Sequence, residues 1–400
     1  MTKQWRTKTR LAILATATSA CFLLPSSAGA APQAPVCPGP AGPGSARCHA
    51  HVVTNANGTP RAATAPSGYG PAQFRGAYGL PSAAATAQTI AIVDAYDDPN
   101  IASDLNAYSA QFGLPQCNSA NPCFKKVNQS GSASGPFPRT DAGWSLEIAL
   151  DVEVAHAICP NCKILLVEAS SNSLSNLAAA VNTAAKLGAN EISNSYGGSE
   201  FSSEVNATYS SPYNQPGIAV TVASGDNGYG SFGFPAASPN VITVGGTTLT
   251  LGAGNTYGSE SVWSGAGSGC SLYFGAPAWQ SFLSACAGKR GTADVAADAN
   301  PNTGAAVYNT VRYQGRAGWF RVGGTSLSSP LVAAVYALAG GLPSGTTAAS
   351  GLYGHLGDST VLHDVTSGSN ATTCATIMCK GAAGYDGPTG VGTPKGLGAF

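Results

Sequence analysis

The sequence predicts an α/β fold with a mostly parallel central sheet. Short runs of β-branched and aliphatic residues alternate with segments of helical spacing over roughly 200 residues, which is typical of successive β-α-β units. A hydrophobic content of 44% in a chain of 400 residues is enough to bury one large core. Because parallel sheets are buried on both faces, we expect helices on both sides of this sheet, in three layers.

Each expected element has its own signal in the chain. Short apolar or β-branched runs predict strands at 89–93 (TIAIV), 163–167 (KILLV), 191–195, 217–223 and 241–244. Apolar residues at helical spacing predict helices at 101–112, 144–158, 175–187 and after Thr325. No internal repeat interrupts the alternation, so we expect one large domain rather than two.

Unusual polar residues follow several of these strands. Three expected strands end in such residues: Asp94, Ser195-Tyr196-Gly197 and Ser224-Gly225-Asp226. The segment 323–326 (GGTS) opens the last expected helix. In parallel sheets, ligands bind outside the carboxyl ends of the strands. The sequence therefore predicts a functional site formed by these segments.

Charge is sparse and balanced, with 19 basic and 19 acidic residues and only 10% of the chain charged. Nucleic-acid binding depends on many Lys and Arg contacts to phosphate, so we expect no nucleic-acid partner. A disordered chain would combine few apolar residues with a high net charge, and this chain has neither. The composition favours a folded protein.

The first 30 residues have the pattern of a signal peptide. A basic start is followed by an apolar stretch at 11–24, and Ala28-Gly29-Ala30 offers the small residues at which a signal peptidase cuts. A membrane anchor is the alternative, but this stretch is shorter than the roughly 20 residues that a spanning helix needs. We expect a secreted protein with no membrane partner, with a leader or linker at 31–66 and a folded body at 67–400.

The cysteines also indicate an oxidising compartment. Of 11 cysteines, Cys21 lies in the expected signal peptide, and the even number that remains predicts disulfides. Sequence neighbours suggest the pairs Cys37–Cys48, Cys117–Cys123, Cys159–Cys162, Cys270–Cys286 and Cys374–Cys379, which spacing alone does not prove. A zinc site at Cys159 and Cys162 is not favoured, because no second pair of this spacing completes it.

The segment 324–330 (GTSLSSP) is the strongest local signal for chemistry. Its glycine and the one before it allow a tight turn, and Ser326 follows at the start of an expected helix with Pro330 in the first turn. Free N–H groups at such a helix end can stabilise an oxyanion. Ser326 is therefore a candidate nucleophile, and the alternative is an ordinary serine cap on a buried helix.

A nucleophilic serine needs a base, and none of the histidines stands in a setting typical of one. Glu147 and Asp151 lie four residues apart on the second expected helix, which puts both carboxylates on one helix face. This pair is the candidate base. The alternative is a solvated acidic face that also includes Glu153.

In combination these motifs resemble those of the sedolisins, or serine-carboxyl peptidases, which are similar in fold to subtilisin. The resemblance runs from 71–80 (PAQFRGAYGL) to the C-terminus, about four fifths of the chain. It implies that Ser326 is the nucleophile, with Glu147 as its base and Asp151 as the residue that orients the base. It also implies that Asp226, in a Ser-Gly-Asp-x-Gly turn, donates a hydrogen bond to the oxyanion while protonated.

The resemblance further implies a substrate-binding strand and a calcium site. The strand end Ser195, Tyr196 and Gly197 is expected to pair with an extended peptide. One structural calcium ion is expected near the C-terminus, because two carboxylates and backbone carbonyls suit a hard cation. The expected ligands are Asp364, Val365, Gly384 and Asp386.

These roles imply a secreted serine peptidase that acts as a monomer on peptides or unfolded proteins. Asp226 has to be protonated to donate a hydrogen bond, and a carboxylate of ordinary pKa is a weak base at neutral pH. We therefore expect a pH optimum below about 5. Endopeptidase and tripeptidyl-peptidase action both stay open.

Alternatives remain at this stage. Asp94 ends the first strand, where subtilisin-type enzymes hold an aspartate, so one alternative is a catalytic triad of Asp94, His156 and Ser326. Otherwise Asp94 caps the strand or lines a subsite. A secreted peptide-binding protein that no longer cuts is an alternative from another class. Sedolisins usually carry a large propeptide, whereas the leader expected here is short, which leaves activation unexplained.

Overall fold

Strands and helices follow one another much as the sequence predicts. The structure, a computed structural model, describes residues 1–5, 30–343 and 345–400. Residues 6–29 of the expected signal peptide therefore lie outside the described residues. Residues 31–400 form one compact unit, and none of the helices described is long and apolar enough to cross a membrane.

The strands in the described residues are β1 (Gln33–Pro35), β2 (Arg47–Cys48), β3 (His51–Val53), β4 (Ala62–Ala63), β5 (Thr89–Ala95), β6 (Phe124–Asn128), β7 (Lys163–Ala169), β8 (Glu191–Asn194), β9 (Tyr196–Gly197), β10 (Ala219–Ala223), β11 (Ile242–Leu251), β12 (Tyr257–Val262), β13 (Gly269–Gly275), β14 (Lys289–Thr292), β15 (Val295–Asp298), β16 (Ala305–Tyr313), β17 (Arg316–Gly323), β18 (Leu362–His363) and β19 (Thr393–Pro394). The α-helices are α1 (Pro71–Tyr78), α2 (Ile101–Phe112), α3 (Ala142–Ile158), α4 (Leu174–Lys186), α5 (Ala207–Ser210), α6 (Thr325–Ala339) and α7 (Ser350–Tyr353). The expected elements agree with these bounds to within a few residues, except that the strand expected at 241–244 continues to Leu251.

The central sheet has eight strands in the order β12-β11-β10-β8-β5-β7-β6, with β15 pairing to β11. All neighbours run parallel except β11 and β12. This confirms the mostly parallel α/β fold. Because β5, β8 and β10 are parallel neighbours, the segments that follow their carboxyl ends meet at one edge of the sheet.

Helices α3 and α6 pack against each other and against the sheet. Every residue of α3 from Trp144 to Ile158 is buried. The aliphatic and alanine side chains of this helix lie on all its sides and not along one stripe, which is typical of a helix inside the core. Asp141 caps its first turn by accepting hydrogen bonds from the N–H groups of Gly143 and Trp144, both at 3.2 Å. The idea of a solvated acidic face on this helix is therefore wrong.

The segment at 31–66 is not the loose leader or linker that its composition suggested. β1, β3 and β4 join β16 and β17 in an antiparallel five-stranded sheet, and β2 pairs with β9. These strands are only two or three residues long, which is too short for a period of two to stand out in the sequence. A disulfide between Cys37 and Cys48 also holds the segment.

All five expected disulfides are present in the structure, between Cys37 and Cys48, Cys117 and Cys123, Cys159 and Cys162, Cys270 and Cys286, and Cys374 and Cys379. Each joins sequence neighbours, so each closes a short loop. Short loops remove less chain entropy from the unfolded state than long ones. These disulfides therefore brace local turns and do not tie distant parts of the fold together.

Candidate active site

Ser326 lies in the first turn of α6, next to the strand end at Ser195. Ser326 is fully buried, and its hydroxyl donates a hydrogen bond to the Ser195 carbonyl oxygen at 3.3 Å. Gly324 precedes the helix with a φ of 100°, a conformation that residues with a side chain rarely adopt. A Cβ at this position would also collide with Asp226. Glycine at 324 therefore lets Asp226 lie against the start of α6.

Pro330 affects the hydrogen bonding at the start of α6. It lies in the second turn of this helix and not in the first turn, where the sequence placed it. Because proline has no N–H, the carbonyl group four residues earlier, that of Ser326, lacks its usual helical partner. The Ser195 hydroxyl donates to that carbonyl at 3.4 Å. Two hydrogen bonds therefore join Ser195 and Ser326, which fixes the strand end at Ser195 to the helix.

Three carboxyl groups form a buried cluster near Ser326: Glu147 and Asp151 of α3, and Asp94 of β5. All three side chains are fully buried. Burial raises the pKa of each carboxyl group well above its ordinary value, and the nearby charge of Asp151 raises the pKa of Asp94 and Glu147 further. Like charges this close in a low dielectric do not all ionise together. The cluster therefore shares protons at acidic and neutral pH.

Two hydroxyl groups lower the pKa values that burial raises in this cluster. The Ser326 hydroxyl lowers the pKa of Glu147, and that of Ser195 lowers the pKa of Asp151, because each favours the ionised carboxylate. Within the described residues, neither carboxyl group makes a hydrogen bond of normal geometry, since the Ser326 hydroxyl is turned towards the Ser195 carbonyl. Rotation about the Ser326 χ1 angle would turn the hydroxyl proton from the Ser195 carbonyl oxygen towards the Glu147 carboxyl group.

Asp226 follows β10 and faces the first turn of α6. Its Oδ1 accepts hydrogen bonds from the N–H and the hydroxyl of Thr325, both at 2.8 Å. Its Oδ2 is buried without a hydrogen-bond partner in the part of the chain that the structure describes. Burial raises the pKa of Asp226 to about 7, although the bonds from Thr325 favour its charged form. Below that pH, Oδ2 is the oxygen that can carry the proton.

The segment that carries most of these groups also matches a known family. A model described as the subtilase family matches residues 139–350, which include Glu147, Asp151, Asp226 and Ser326. The chain belongs to the subtilase family. Sedolisin of Pseudomonas sp. (strain 101) is 28% identical over 376 residues, and kumamolisin of Bacillus sp. (strain MN-32) is 31% identical over 375 residues. These matches cover 85% and 83% of this chain but 61% and 63% of the relatives, so the chain spans less than two thirds of their length.

Solved structures agree with this assignment. The structure of Pseudomonas sedolisin, a serine-carboxyl proteinase complexed with two molecules of pseudo-iodotyrostatin, is similar to this subtilase with a TM-score of 0.68 and 28% identity. That similarity covers 82% of this chain and 96% of the other. The S41 psychrophilic protease, at 18% identity and a TM-score of 0.53, shares the fold. Within the subtilases, the relatives place this chain among the sedolisins.

The alternative triad through His156 is wrong for this subtilase. His156 lies nine residues beyond Glu147, which turns it about half a revolution away around α3. Its Nε2 contacts the Pro115 carbonyl oxygen at 2.9 Å, on the side of the helix away from the carboxyl cluster. Asp94 does not meet a histidine but adds a third carboxyl group beside Asp151.

The substrate-binding strand expected at Ser195, Tyr196 and Gly197 corresponds to β9 and the residue before it. The Tyr196 side chain is buried, and its hydroxyl donates to Asn194 Oδ1 at 2.8 Å. The main chain of this strand pairs antiparallel with β2, with Arg47 opposite Gly197 and Cys48 opposite Tyr196. A cavity of about 770 Å³ runs beside it and is lined in part by Gly197, Glu200 and Tyr229.

The proposed calcium ligands lie close together near the C-terminus. Asp386 is fully buried, and the charge of Asp364 contributes to raising its pKa to about 7, although burial is the main cause. The carbonyl oxygens of Val365 and Gly384 accept no backbone hydrogen bond from the described residues. An all-oxygen set with two adjacent carboxylates fits a hard divalent cation. The site formed by Cys117, Cys123 and His156 does not, because its cysteines form a disulfide.

Two residues of the site escaped the sequence prediction. His49 and His51 flank the cleft, and His51 Nε2 lies 3.8 Å from Asp226 Oδ2. Burial and the charge of Arg47 lower the pKa of His49 to about 3 and that of His51 to about 4, so both are neutral over most of the acidic range. Their neighbours are rich in Ala, Pro and Gly, and only the short run at 51–53 (HVV) could have indicated a strand.

Proposed function

We propose that this chain is a secreted serine-carboxyl peptidase that hydrolyses peptide bonds at acidic pH through an acyl-enzyme on Ser326. The observation that carries the proposal is the placement of Ser326 between the buried carboxyl cluster of α3 and the free oxygen of Asp226. Five disulfides support an extracellular location.

Glu147 is the proposed base for Ser326. Its pKa is raised by burial and by Asp151, so its carboxylate is a stronger base than a solvated glutamate. Asp151 lies one helical turn further along α3 and shares the proton that Glu147 takes from the hydroxyl. The proton then returns to the leaving amine, so the pair acts first as base and then as acid.

Asp226 is the proposed donor to the oxyanion. Thr325 holds Oδ1 in place, and the free Oδ2 carries a proton below about pH 7. A protonated carboxyl group and the Ser326 N–H at the start of α6 then offer two hydrogen bonds to the developing negative charge. The requirement for this proton supports activity on the acidic side of pH 7.

The proposed substrate is an extended peptide or an unfolded protein that pairs with β9 in place of β2, which pairs with this strand in the structure. Main-chain pairing would bind a peptide with little dependence on its side chains. The cavity beside β9 would then select among the side chains of the substrate. The choice between endopeptidase and tripeptidyl-peptidase action depends on how far a substrate extends along this cleft.

Substitution Ser326→Ala tests the proposal. We expect hydrolysis of an unstructured protein at pH 4 to fall by at least about 10⁴-fold, because the acyl-enzyme can no longer form. Thermal unfolding should be unchanged within a few degrees, since only one buried hydroxyl is lost. Ser328→Ala is the matched control: Ser328 is buried two residues later in α6, its hydroxyl donates within the helix to Thr325, and the variant should keep its rate. Undiminished hydrolysis by Ser326→Ala would contradict the proposal.

We also propose one structural calcium ion held by the oxygens of Asp364, Val365, Gly384 and Asp386. Removal of calcium with a chelator at pH 6.5 should lower the melting temperature by on the order of 2 °C or more, because the ion binds only the folded state. Asp386→Asn should remove this difference. Asp358→Asn, which changes a half-buried aspartate nearby in sequence, should keep it. A melting temperature of the wild type that does not respond to calcium would overturn this site.

A further inference from the structure

The antiparallel sheet of β1, β3, β4, β16 and β17 is built from parts of the chain that contain no acidic residue. All five strands fall within 31–93 and 299–357, and neither segment has an Asp or a Glu. The same two segments hold six of the 19 basic residues, and all six are arginines. Positive charge is therefore concentrated on this sheet, although the chain as a whole has a formal net charge of zero.

Two of these arginines, Arg61 and Arg321, lie side by side. β4 pairs antiparallel with β17, with Ala62 opposite Phe320, and the two arginines each lie one residue beyond that pair. Side chains opposite each other in an antiparallel pair share one face of the sheet, where like charges are destabilising. Burial lowers the pKa of the Arg321 guanidinium, and the positive charge of Arg61 lowers it further.

The positive charge of this pair is not neutralised by the protein. Among the described residues, neither arginine forms an ion pair, and Nε of Arg321 is buried without a hydrogen-bond partner. Two carboxyl groups contact β16, but both are bound to its main chain. Asp104 accepts from the Thr310 N–H at 2.7 Å, and Glu153 accepts from the Tyr308 N–H at 2.9 Å. The pair therefore keeps an uncompensated charge.

A cavity of about 470 Å³, here called the arginine pocket, opens beside this pair. Its lining includes three arginines, two other polar residues and one tryptophan: Arg61, Arg316, Arg321, Asn55, Ser67 and Trp319. None of the described residues that line it is acidic, and none of them lines the cavity beside β9. Trp319 lies two residues before Arg321 on β17, so both side chains are on one face of the strand. Three positive charges thus surround one hollow.

We propose that the arginine pocket binds a phosphate or sulfate group, free or carried by a saccharide, with Arg61 and Arg321 as its main ligands. A guanidinium group offers five N–H donors in a planar fork, which matches the oxygens of such an anion. A doubly charged anion between the arginines would replace their repulsion by attraction. The inference goes beyond the proposed function, because binding needs neither Ser326 nor the carboxyl cluster.

The arginine pocket has room for more than the anion itself. Its volume falls in the range of roughly 300–1,000 Å³ that is typical of pockets for small organic ligands. Trp319 supplies an apolar surface, and Asn55 and Ser67 supply groups that can bond to hydroxyls. This combination suits a sugar that carries the phosphate or sulfate group.

Calorimetric titration of inorganic phosphate at pH 7 into the full chain carrying Ser326→Ala tests the site. This background avoids self-digestion, and phosphate is largely a dianion at this pH. We expect saturable binding, and Arg61→Gln and Arg321→Gln should each weaken it at least about tenfold, as the loss of a charged hydrogen bond implies. Arg312→Gln should change the affinity less than twofold.

Arg312 is the matched control because it is an exposed arginine of the same sheet that does not line the pocket. Its guanidinium donates to the Gly315 carbonyl oxygen at 3.1 Å. Each of the three variants removes one positive charge from the sheet, so a general electrostatic effect would weaken all of them alike. Equal affinities of Arg61→Gln and Arg312→Gln, or no saturable binding of phosphate before these changes, would overturn the proposal.

Glucose 6-phosphate and glucose distinguish the two sources of the anion. Tighter binding of glucose 6-phosphate than of inorganic phosphate would assign the pocket to a saccharide that carries the group. Its binding should then change the tryptophan emission, and Trp319→Phe should lose that change. Equal or weaker binding would assign the pocket to the free anion. Binding of glucose as tight as that of glucose 6-phosphate would contradict the proposal, because the arginines would then contribute nothing.

Thermal unfolding tests the same charges without calorimetry. At low ionic strength and without phosphate, Arg61→Gln should melt at a higher temperature than Arg312→Gln, because it removes the repulsion at Arg321. Millimolar phosphate should raise the melting temperature of the wild type but not that of Arg61→Gln. A lower melting temperature of Arg61→Gln would mean that another group already balances the pair, and would contradict the site.

The two proposals fail separately. A wild type that hydrolyses an unstructured protein but binds no phosphate would overturn the arginine pocket alone. A chain that binds phosphate through Arg61 and Arg321 but hydrolyses no peptide bond would support the pocket and remove the proposed function.

Discussion

Asp226 is the residue on which the proposed acidic pH range of this site depends. Thr325 uses both its N–H and its hydroxyl to fix one carboxyl oxygen, and burial leaves the other without a partner among the described residues. The cost of burying a charge raises the pKa to about 7, against an ordinary value near 4. Asp226 is therefore neutral at acidic pH, as its proposed role as a hydrogen-bond donor requires, and an anion above about pH 7.

Substitution Asp226→Asn keeps a hydrogen-bond donor at this position but removes its titration. An asparagine side chain can still accept from Thr325 through its oxygen and offer its amide N–H to the oxyanion at any pH. We expect the fall in hydrolysis around pH 7 to be absent or weaker in this variant. Asp226→Ala should instead lose about 10²- to 10³-fold at every pH, because the donor itself is gone. Identical pH profiles for wild type and Asp226→Asn would contradict this role.

At the scale of the element, α3 carries buried acids with different tasks. Glu147 and Asp151 belong to the cluster beside Ser326, whereas Glu153 Oε2 accepts a hydrogen bond from the Tyr308 N–H at 2.9 Å. Glu153 is six residues beyond Glu147, which places it on another side of the helix. One helix therefore holds both a candidate base and a structural contact to β16.

Glu147→Gln and Glu153→Gln form a matched pair. Loss of the base should lower the hydrolysis rate by on the order of 10³-fold, while the glutamine at 153 can still accept from Tyr308 and should keep the rate. Steady-state kinetics at pH 4 with melting temperatures of both variants check this. Equal losses of rate would mean that Glu147 acts only through the fold.

The same helix shows what sequence could and could not predict. The spacing of Glu147 and Asp151 put both carboxyl groups on one helix face, so their proximity was predictable, whereas their burial was not. The position of Asp94 in the cluster depends on the pairing of β5 with β7 and β8, which no local pattern reveals. Strands β2, β3 and β4 were missed because their pairing partners, β9 and β17, lie more than 100 residues away, and β1 pairs with β3, which is itself one of the missed strands.

At the scale of the whole molecule, many carboxyl groups are buried outside the site as well. Burial raises the pKa of Asp98 to about 7 and that of Glu191 to about 9. A folded-state pKa above the unfolded value near 4 means that the folded state binds more protons in between. The stability gained from these groups is therefore complete below about pH 4 and is lost as pH rises through 7 to 9.

We expect the melting temperature to be higher at pH 5 than at pH 9. Glu191→Gln replaces a buried acid by a side chain that does not titrate, so at pH 9 it should gain stability on the order of 1 kcal/mol relative to wild type. At pH 4 the two should be nearly equal. Asp358→Asn, at a half-buried position, serves as the control. A wild type that is more stable at pH 9 than at pH 5 would contradict this account of the buried acids.

The central claim is that this chain hydrolyses peptide bonds at acidic pH through Ser326, and the pH dependence of that hydrolysis tests it most directly. The measurement follows cleavage of an unstructured protein from pH 3 to pH 8, with Ser326→Ala in parallel. The proposed chemistry predicts a maximum below about pH 5, a further loss as Asp226 ionises around pH 7, and no hydrolysis by the variant at any pH. Full activity at pH 8 with none at pH 4 would contradict it.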